Sequence, residues 1–419
     1  MVEKNDVSLE TQDSVDVKRN EPQLRFKEFN GPWKKTILGK VSIDEMYGMN
    51  SAAKDFDGVN KYIRITDISE TSHKFAPNPL TSPEGQLNDK FRLKEGDIVF
   101  ARTGASTGKS YLYNKKDGKL YFAGFLIKFH IDKACPQFVF YNTLRNNYEN
   151  WVKVISVRSG QPGINAEEYK NFMFYLPSIK EQEKIANFLS LIDKKIEFLE
   201  KTLVLYQKIK KHILEQIFAN LKCESESLDK VTFYQEGPGV RNYQYTKEGI
   251  KLLNVGNFVE NELILENTDR YISEEEAYGK YKHFLVDEGD LLIACSGIKA
   301  EYFDEKITFA KKEHLPLCMN TSTMRFKTLN ENKLNLNYLK WYFQTVMFKK
   351  QIFGVLTGSA QFNFGPTHLK YLKVLIPPIE QQIVISNFLD FLKNHTDKLS
   401  KEIYLMKEYK KGLLQKMFV

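Results

Sequence analysis

No apolar run in this sequence approaches the roughly 18 residues needed to cross a bilayer, and the opening MVEKNDVSLE is too polar for a secretory leader. A soluble, cytoplasmic protein with no membrane partner is expected. Cysteine is scarce: Cys135, Cys223, Cys295 and Cys318 lie far apart, with no CxxC pair and no His at ligand spacing. That pattern argues against a disulfide framework or a zinc site and for reduced, mostly buried thiols. The seven His residues form no cluster, and HExxH, GxSxG and a GxGxxG after a strand are all missing. The Asn/Asp-Pro-Pro-aromatic signature of amino-methyltransferases is missing too. Neither a catalytic residue nor a metal ligand is therefore expected.

One string comes close to a nucleotide cradle. RTGASTGKS (102–110) resembles GxxxxGK[ST], but Gly104 to Gly108 is one residue short and Thr103 stands where the first glycine belongs. The loop is better suited to bringing backbone amides and Lys109 to a single phosphate of a polyanion.

What is present supports sizeable cores: 42% of the 419 residues are hydrophobic and 13% aromatic, which excludes a wholly disordered chain. Length alone suggests roughly three domains. The net charge of +8 is uneven. Residues 1–21 carry six acids against three bases, leaving +11 on residues 22–419. The first 21 residues also lack aromatics and periodic apolar positions, and are expected to be a disordered acidic tail. A body at +11 suits a polyanion such as nucleic acid, although charge alone is a weak signal.

The decisive feature is a repeat. LPSIKEQEKIANFL (176–189) returns as IPPIEQQIVISNFL (376–389), so that Pro177, Ile179, Gln182, Ile185, Asn187, Phe188 and Leu189 recur at an offset of 200. Leu199, Lys201, Leu205, Lys210, Lys211, Leu214 and Phe218 recur at the same offset without an insertion. Upstream the likeness is fainter: EGDIVFARTG (95–104) matches EGDLLIACSG (288–297), and KYIRITDI (61–68) matches KLLNVGNF (251–258) in apolar pattern. A unit duplicated with a constant frame and divergent bodies is expected to bind two different things.

The constant segment steps by four and three along Ile185, Leu189, Ile192, Ile196, Leu199 and Leu203, and again along Ile385, Leu389, Leu392, Leu399, Ile403 and Met406, with Thr396 in phase. A spacing of 3.5 residues held this long predicts a coiled-coil seam. Each helix would run for about 39 residues, roughly 58 Å. Packing the two against each other in one chain requires them to run antiparallel. Lys210 and Lys410 interrupt the seam at equivalent places; their stems are expected to cover apolar surface with the ammonium groups in water, register-setting being the alternative. The bodies mix short strands with helical stretches at 138–155 and 338–353.

At these residues the sequence resembles the DNA specificity subunits of type I restriction–modification systems. The likeness is carried by LRFKEFNGPWKKTILGKV (24–41), EGDIVFARTGASTGKS (95–110), SGQPGIN (159–165) and SAQFNF (359–364), and by the two Pro-x-Ile-x-x-Gln-x-x-Ile helix openings. The second copy departs from the first at QFNFGPT (361–367) and at CSGIKAEYF (295–303).

The resemblance implies an α+β fold of two tandem target recognition domains joined by two long helices in an antiparallel coiled coil, pseudo-two-fold. The expected parts are a tail (1–21), a first recognition domain (22–178), a first spacer helix (179–220), a second recognition domain (221–378) and a second spacer helix (379–419). It implies a non-catalytic reader of double-stranded DNA with a bipartite site. Two modification (methyltransferase) subunits carrying S-adenosylmethionine, and restriction (translocase/nuclease) subunits using ATP and Mg, would be its partners, with no cofactor on this chain.

Side chains suited to base edges are Arg64, Arg102 and Gln161 in the first body, and Arg241, Asn242, Gln244, Asn254, Asn257 and Gln361 in the second. Lys90, Arg92, Lys109 and Lys299 are the expected phosphate partners. Gln161 and Gln361 stand near the helix entrances, where pinning loop to helix is the alternative. The competing function is a coiled-coil scaffold whose two bodies bind proteins.

Overall fold

The run DIVFA (97–101) is apolar at four of five positions because both of its faces are covered. In the computed structural model, which describes residues 20–355, 362–363 and 365–419, every residue of the strand Asp97–Ala101 is buried. Alternate side chains of a strand point to opposite faces. Ile98 and Phe100 accordingly enter one core with Phe129, Tyr148 and Tyr169, while Val99 and Ala101 enter another with Ile63, Leu120 and Phe122. The chain divides into two units, residues up to Glu200 together with Lys401–Val419, and Lys201–Ser400.

In the first unit Asp97–Ala101 sits inside a four-stranded antiparallel sheet, in the order Ser42–Tyr47, Leu126–Ile131, Asp97–Ala101, Ser110–Leu112. Beside it the parallel pair Lys61–Ile63 and Leu120–Phe122 builds the second core. An antiparallel pair, Lys34–Ile37 with Met173–Leu176, leads into the first long helix, Ile179–Asn220.

The second unit repeats these three elements of the plan, with further short strands of its own. Its sheet runs Thr232–Glu236, Thr323–Thr328, Leu291–Ala294, Ile307–Phe309. Its parallel pair is Ile250–Leu253 with Leu317–Met319, and Ser225–Ser227 with Lys373–Leu375 leads into the second long helix, Ile379–Lys416.

Each long helix contributes one half to each unit. In the first unit Asp193 pairs with Lys410 at 2.6 Å and, seven residues on, Glu200 pairs with Lys407 at 2.7 Å, the falling partner number of two halves that run antiparallel; Lys195 also reaches Glu402 at 3.4 Å. Ile185, Leu189, Ile192, Ile196 and Leu199 are buried here, as are Ile403, Leu413 and Met417 from the other helix, and Met406 is half-buried. In the second unit Tyr206 meets the ring of His395 at 4.7 Å, Ile385, Leu389 and Thr396 are buried, and Leu203, Leu392 and Leu399 are half-buried. No seam position faces open solvent.

Two expectations change. The helical stretches at 138–155 and 338–353 are each broken in two, into Pro136–Asn142 and Asn146–Ile155, and into Leu336–Phe343 and Val346–Val355. At the breaks Thr143 and Thr345 turn their hydroxyls back onto the carbonyls of Phe140 and Tyr342, both at 2.7 Å, a local bond that competes with helix continuation. Lys410 is not simply a stem with its ammonium in water: it pairs with Asp193 at 2.6 Å and lies 5.5 Å from the Tyr141 ring. Lys210 is half-buried, and burial pushes its ammonium below the usual lysine range.

The proposed tail falls mostly on residues 1–19, outside the described residues, but its last two positions belong to the fold. The carbonyl of Asn20 accepts from the Trp33 amide at 2.9 Å, and Glu21 lies 4.0 Å from the Arg25 guanidinium. Cys135, Cys295 and Cys318 are buried and Cys223 is half-buried. No described helix is long and apolar enough to cross a membrane.

Candidate nucleic-acid interface

Both units carry a cleft at the same place in the repeat. It opens where four segments converge: the end of the first sheet strand, the turn after the first parallel strand, the loop after the central strand, and the turn after the second parallel strand. The chain at the first of these must approach the last very closely. A Cβ on Gly48 would lie 2.2 Å from the Ala123 carbonyl oxygen, and one on Gly237 would lie 2.3 Å from that of Asn320, so only glycine fits at either site.

The first cleft encloses about 720 Å³ and is walled by Tyr47, Arg64, Arg102 and Phe125. The Arg102 guanidinium lies 5.0 Å from the centre of the Tyr47 ring. Arg64 is anchored: its Nε and Nη2 each donate to Asp67 at 2.8 Å, and its amide is capped by the same carboxylate. The carboxylate keeps the Arg64 guanidinium above its ordinary value. Phe125 is 61% exposed at the rim.

The second cleft, about 380 Å³, is lined by Tyr245, Asn254, Arg270, Ser296 and Asn320 among others. Asn254 stands where Arg64 stands in the first unit, and Asn257 repeats the capping role of Asp67, its Oδ1 accepting from the Asn254 amide at 2.9 Å. Asn320 donates to the Asn254 Oδ1 at 3.0 Å. Cys295 takes the place of Arg102: the Arg102 amide donates to Phe125 O at 3.0 Å, and the Cys295 amide donates to Ser322 O at 2.9 Å. Burial pushes the Cys295 thiol well above the ordinary range, so it stays protonated.

Several candidate residues are thus brought together and others are not. Arg64 and Arg102 share one cleft. Gln161 is exposed in a loop joined to the same wall, since Gly104 N donates to Pro162 O and Ile164 N donates to Arg102 O, both at 2.9 Å. Lys90 and Arg92 are exposed on another turn, free to meet a phosphate. Arg241 and Asn242 are exposed beside Tyr243, which is 87% exposed. Lys299 is exposed. Gln361 lies outside the described residues.

Three side chains are already engaged, which corrects their assignment. Lys109 is buried, with its ammonium bonded to Ile68 O at 3.1 Å and paired to Glu70. Its loop is no phosphate cradle either: the amides of Gly104, Thr107, Gly108 and Lys109 all donate to carbonyls within the protein. Asn257 is fully buried and gives its Nδ2 to Ile264 O at 3.0 Å. Gln244 accepts from the Arg241 amide and donates to Glu276 and Tyr281. Asn254 is largely spent as well, although it still lines its cleft.

Tyr47, Phe125 and Arg270 were not foreseen as wall residues. The pairing of Tyr47 with Arg102 joins strands 55 positions apart in sequence, and no local pattern announces it. Gly48 and Gly237 were a usable signal, because both follow the first sheet strand of their unit.

The model of the family described as "Type I restriction modification DNA specificity domain" matches residues 31–211 and again 240–405. Two similar proteins of Methanocaldococcus jannaschii are the type I restriction enzyme MjaVIII specificity subunit, 22% identical over 349 residues (78% of this chain, 79% of that protein), and the putative type I restriction enzyme MjaX specificity subunit, 23% identical over 356 residues (78% of each). Among solved structures, a chain described under complex assembly and conformational transition of the type I R-M system has a TM-score of 0.58 at 16% identity, covering 92% of this chain and 96% of that one. A type I restriction-modification S subunit from M. genitalium has a TM-score of 0.56 at 14% identity, covering 95% and 99%. At such identities the structural likeness speaks for the fold alone, and the family match carries the assignment. With that match spanning most of its length in two copies, the chain belongs to the type I restriction modification DNA specificity domain family.

Proposed function

We propose that this chain reads a bipartite double-stranded DNA site, one half with each unit, and acts as the non-catalytic specificity subunit of a type I restriction–modification complex. The observation that carries the reading is the pair of clefts: one frame, built twice, with Arg64, Arg102 and Phe125 on the walls of the first and Asn254, Ser296 and Asn320 on those of the second. Two readers on one frame with unlike walls are suited to two unlike half-sites. Exposed Lys90, Arg92 and Lys299 supply charge for phosphate contacts.

In this reading two modification subunits carry S-adenosylmethionine and methylate adenine, and restriction subunits supply the ATP- and Mg-dependent chemistry. Exposed apolar side chains on both long helices, among them Leu191, Leu205, Val384, Phe391 and Leu405, offer docking surface for such partners. The spacer helices would set the unread gap between half-sites.

The test is the host methylome with and without this gene. One split, adenine-methylated motif is expected to disappear; an unchanged methylome sinks the reading. Exchanging residues 22–176 for those of another family member should alter one half of the motif only, and a heptad inserted in both long helices should lengthen the gap. The purified complex should bind its duplex with an affinity that falls steeply with salt.

A further inference from the structure

The first cleft contains an arginine fork with nothing to grip. Arg102 is half-buried, and no described residue hydrogen-bonds or ion-pairs to its guanidinium. Its position is nevertheless tightly held. The backbone is tied on both sides, amide to Phe125 O at 3.0 Å and carbonyl to Ile164 N at 2.9 Å. The guanidinium rests 5.0 Å from the Tyr47 ring, and the Tyr47 hydroxyl is itself fixed by the Ala166 amide at 3.2 Å. A stacked side chain of this kind is oriented before any ligand arrives, so little ordering entropy is left to lose on binding.

The other arginine of the cleft is employed. On the same wall Arg64 closes its fork on Asp67. An open fork requires two coplanar acceptors. On DNA these are the O6 and N7 atoms of guanine or two phosphate oxygens. The setting favours the base. Arg102 stands on the wall of a concave cleft with aromatic neighbours, whereas Lys90 and Arg92 stand exposed on a surface turn, where a backbone phosphate is met first. The second unit has no arginine at the equivalent position: Cys295 occupies this place, is 0% exposed and gives its thiol to Thr321 O at 3.6 Å, while the arginine of that cleft, Arg270, stands on another segment, 5.4 Å from the Tyr245 ring and donating to Asn254 at 3.4 Å.

We propose that Arg102 is the specificity-determining residue of the first unit, recognising one guanine of its half-site through a two-pronged hydrogen bond. The half-site of the second unit is read without a contact from this position, which Cys295 fills. The proposal rests on the DNA-specificity reading above and adds to it a base, a residue and an asymmetry between the halves.

The experiment compares host methylation motifs for the wild type, Arg102→Ala, Arg102→Gln and Arg102→Lys, with the body exchange identifying which half belongs to the first unit. One guanine of that half should become degenerate in all three variants, lysine included, since it keeps the charge and loses the fork. The other half should not change. An unchanged motif in all three overturns the proposal. So does an unchanged motif whose occupancy falls with alanine and returns with lysine, the mark of a phosphate contact. Should the variants abolish methylation altogether, the wild-type complex decides: 7-deazaguanine, which lacks the N7 acceptor, is placed at each guanine of the half-site in turn. One position should weaken binding by about tenfold, and no weakening at any position overturns the proposal. Failure of the specificity reading itself shows separately, as a methylome indifferent to deletion of the gene.

Discussion

The Gln182 side chain accepts the Cys135 amide at 3.0 Å and donates to the Pro177 carbonyl at 2.9 Å, joining the start of the first long helix to the start of the helix Pro136–Asn142. Gln382 does the same work in the second unit, accepting the Asn335 amide at 2.9 Å and donating to Pro377 O at 2.8 Å and Lys333 O at 2.9 Å. The repeated glutamine of the helix opening is thus a structural clamp. Gln382→Leu should cost about 2–3 kcal/mol, because it strands a buried amide and two carbonyls. Urea unfolding of the variant against wild type measures this, and a midpoint unchanged from wild type contradicts it.

Arg25 holds Glu181, which is almost wholly buried, through Nε at 2.8 Å and Nη2 at 2.9 Å. Removing only the cation leaves a buried carboxylate alone. Arg25→Met is expected to destabilise by about 3 kcal/mol. The double variant Arg25→Met/Glu181→Met should recover most of that loss, and a double-variant cycle showing simple additivity would count against the pairing.

Leu199 and Leu191 sit eight residues apart on one helix, the first buried in the seam and the second 62% exposed. Leu199→Asp should cost roughly 3–4 kcal/mol by burying an unpaired charge. The same change at Leu191 should stay within about 0.5 kcal/mol. Thermal melts of the two variants separate these outcomes.

His73 offers a pH dependence. Burial is the main reason its imidazole is held below the ordinary value; the Ser110 carbonyl, which accepts from Nδ1 at 3.0 Å, acts the other way, and nearby Lys410 and Lys109 lower it further against Glu70. The fold therefore favours neutral His73, and the unfolded chain binds the proton more readily. Its contribution is complete above about pH 6.5, the unfolded value, and is lost progressively as pH falls below it. His73→Asn should flatten the decline in stability between pH 7.5 and 5.5; an unaltered slope in urea titrations refutes the assignment.

The frame was legible in the sequence because it is periodic and repeated. The seam from Ile185 to Leu203 follows from spacing, and the likeness of KYIRITDI to KLLNVGNF marks two turns that cap themselves in the same way, Arg64 on Asp67 and Asn254 on Asn257. The clefts were legible only in part. Residue type singled out Arg102 and Lys109 alike, yet one guanidinium is open and the other cation is buried against Glu70. That difference depends on Tyr47 and on the turn at Ile68, both distant in sequence. Composition names the residues able to bond DNA; only packing reveals which of them already have a partner.

The division of the chain also sets an order in time. A ribosome that has reached residue 400 has made every part of the second unit, whereas the first still lacks Lys401–Val419. Until those residues emerge, the Trp33 and Phe138 face against which Phe418 packs, at 6.3 and 4.8 Å between rings, remains uncovered. The half begun first is finished last, and through the synthesis of some two hundred residues an aromatic surface waits for its lid.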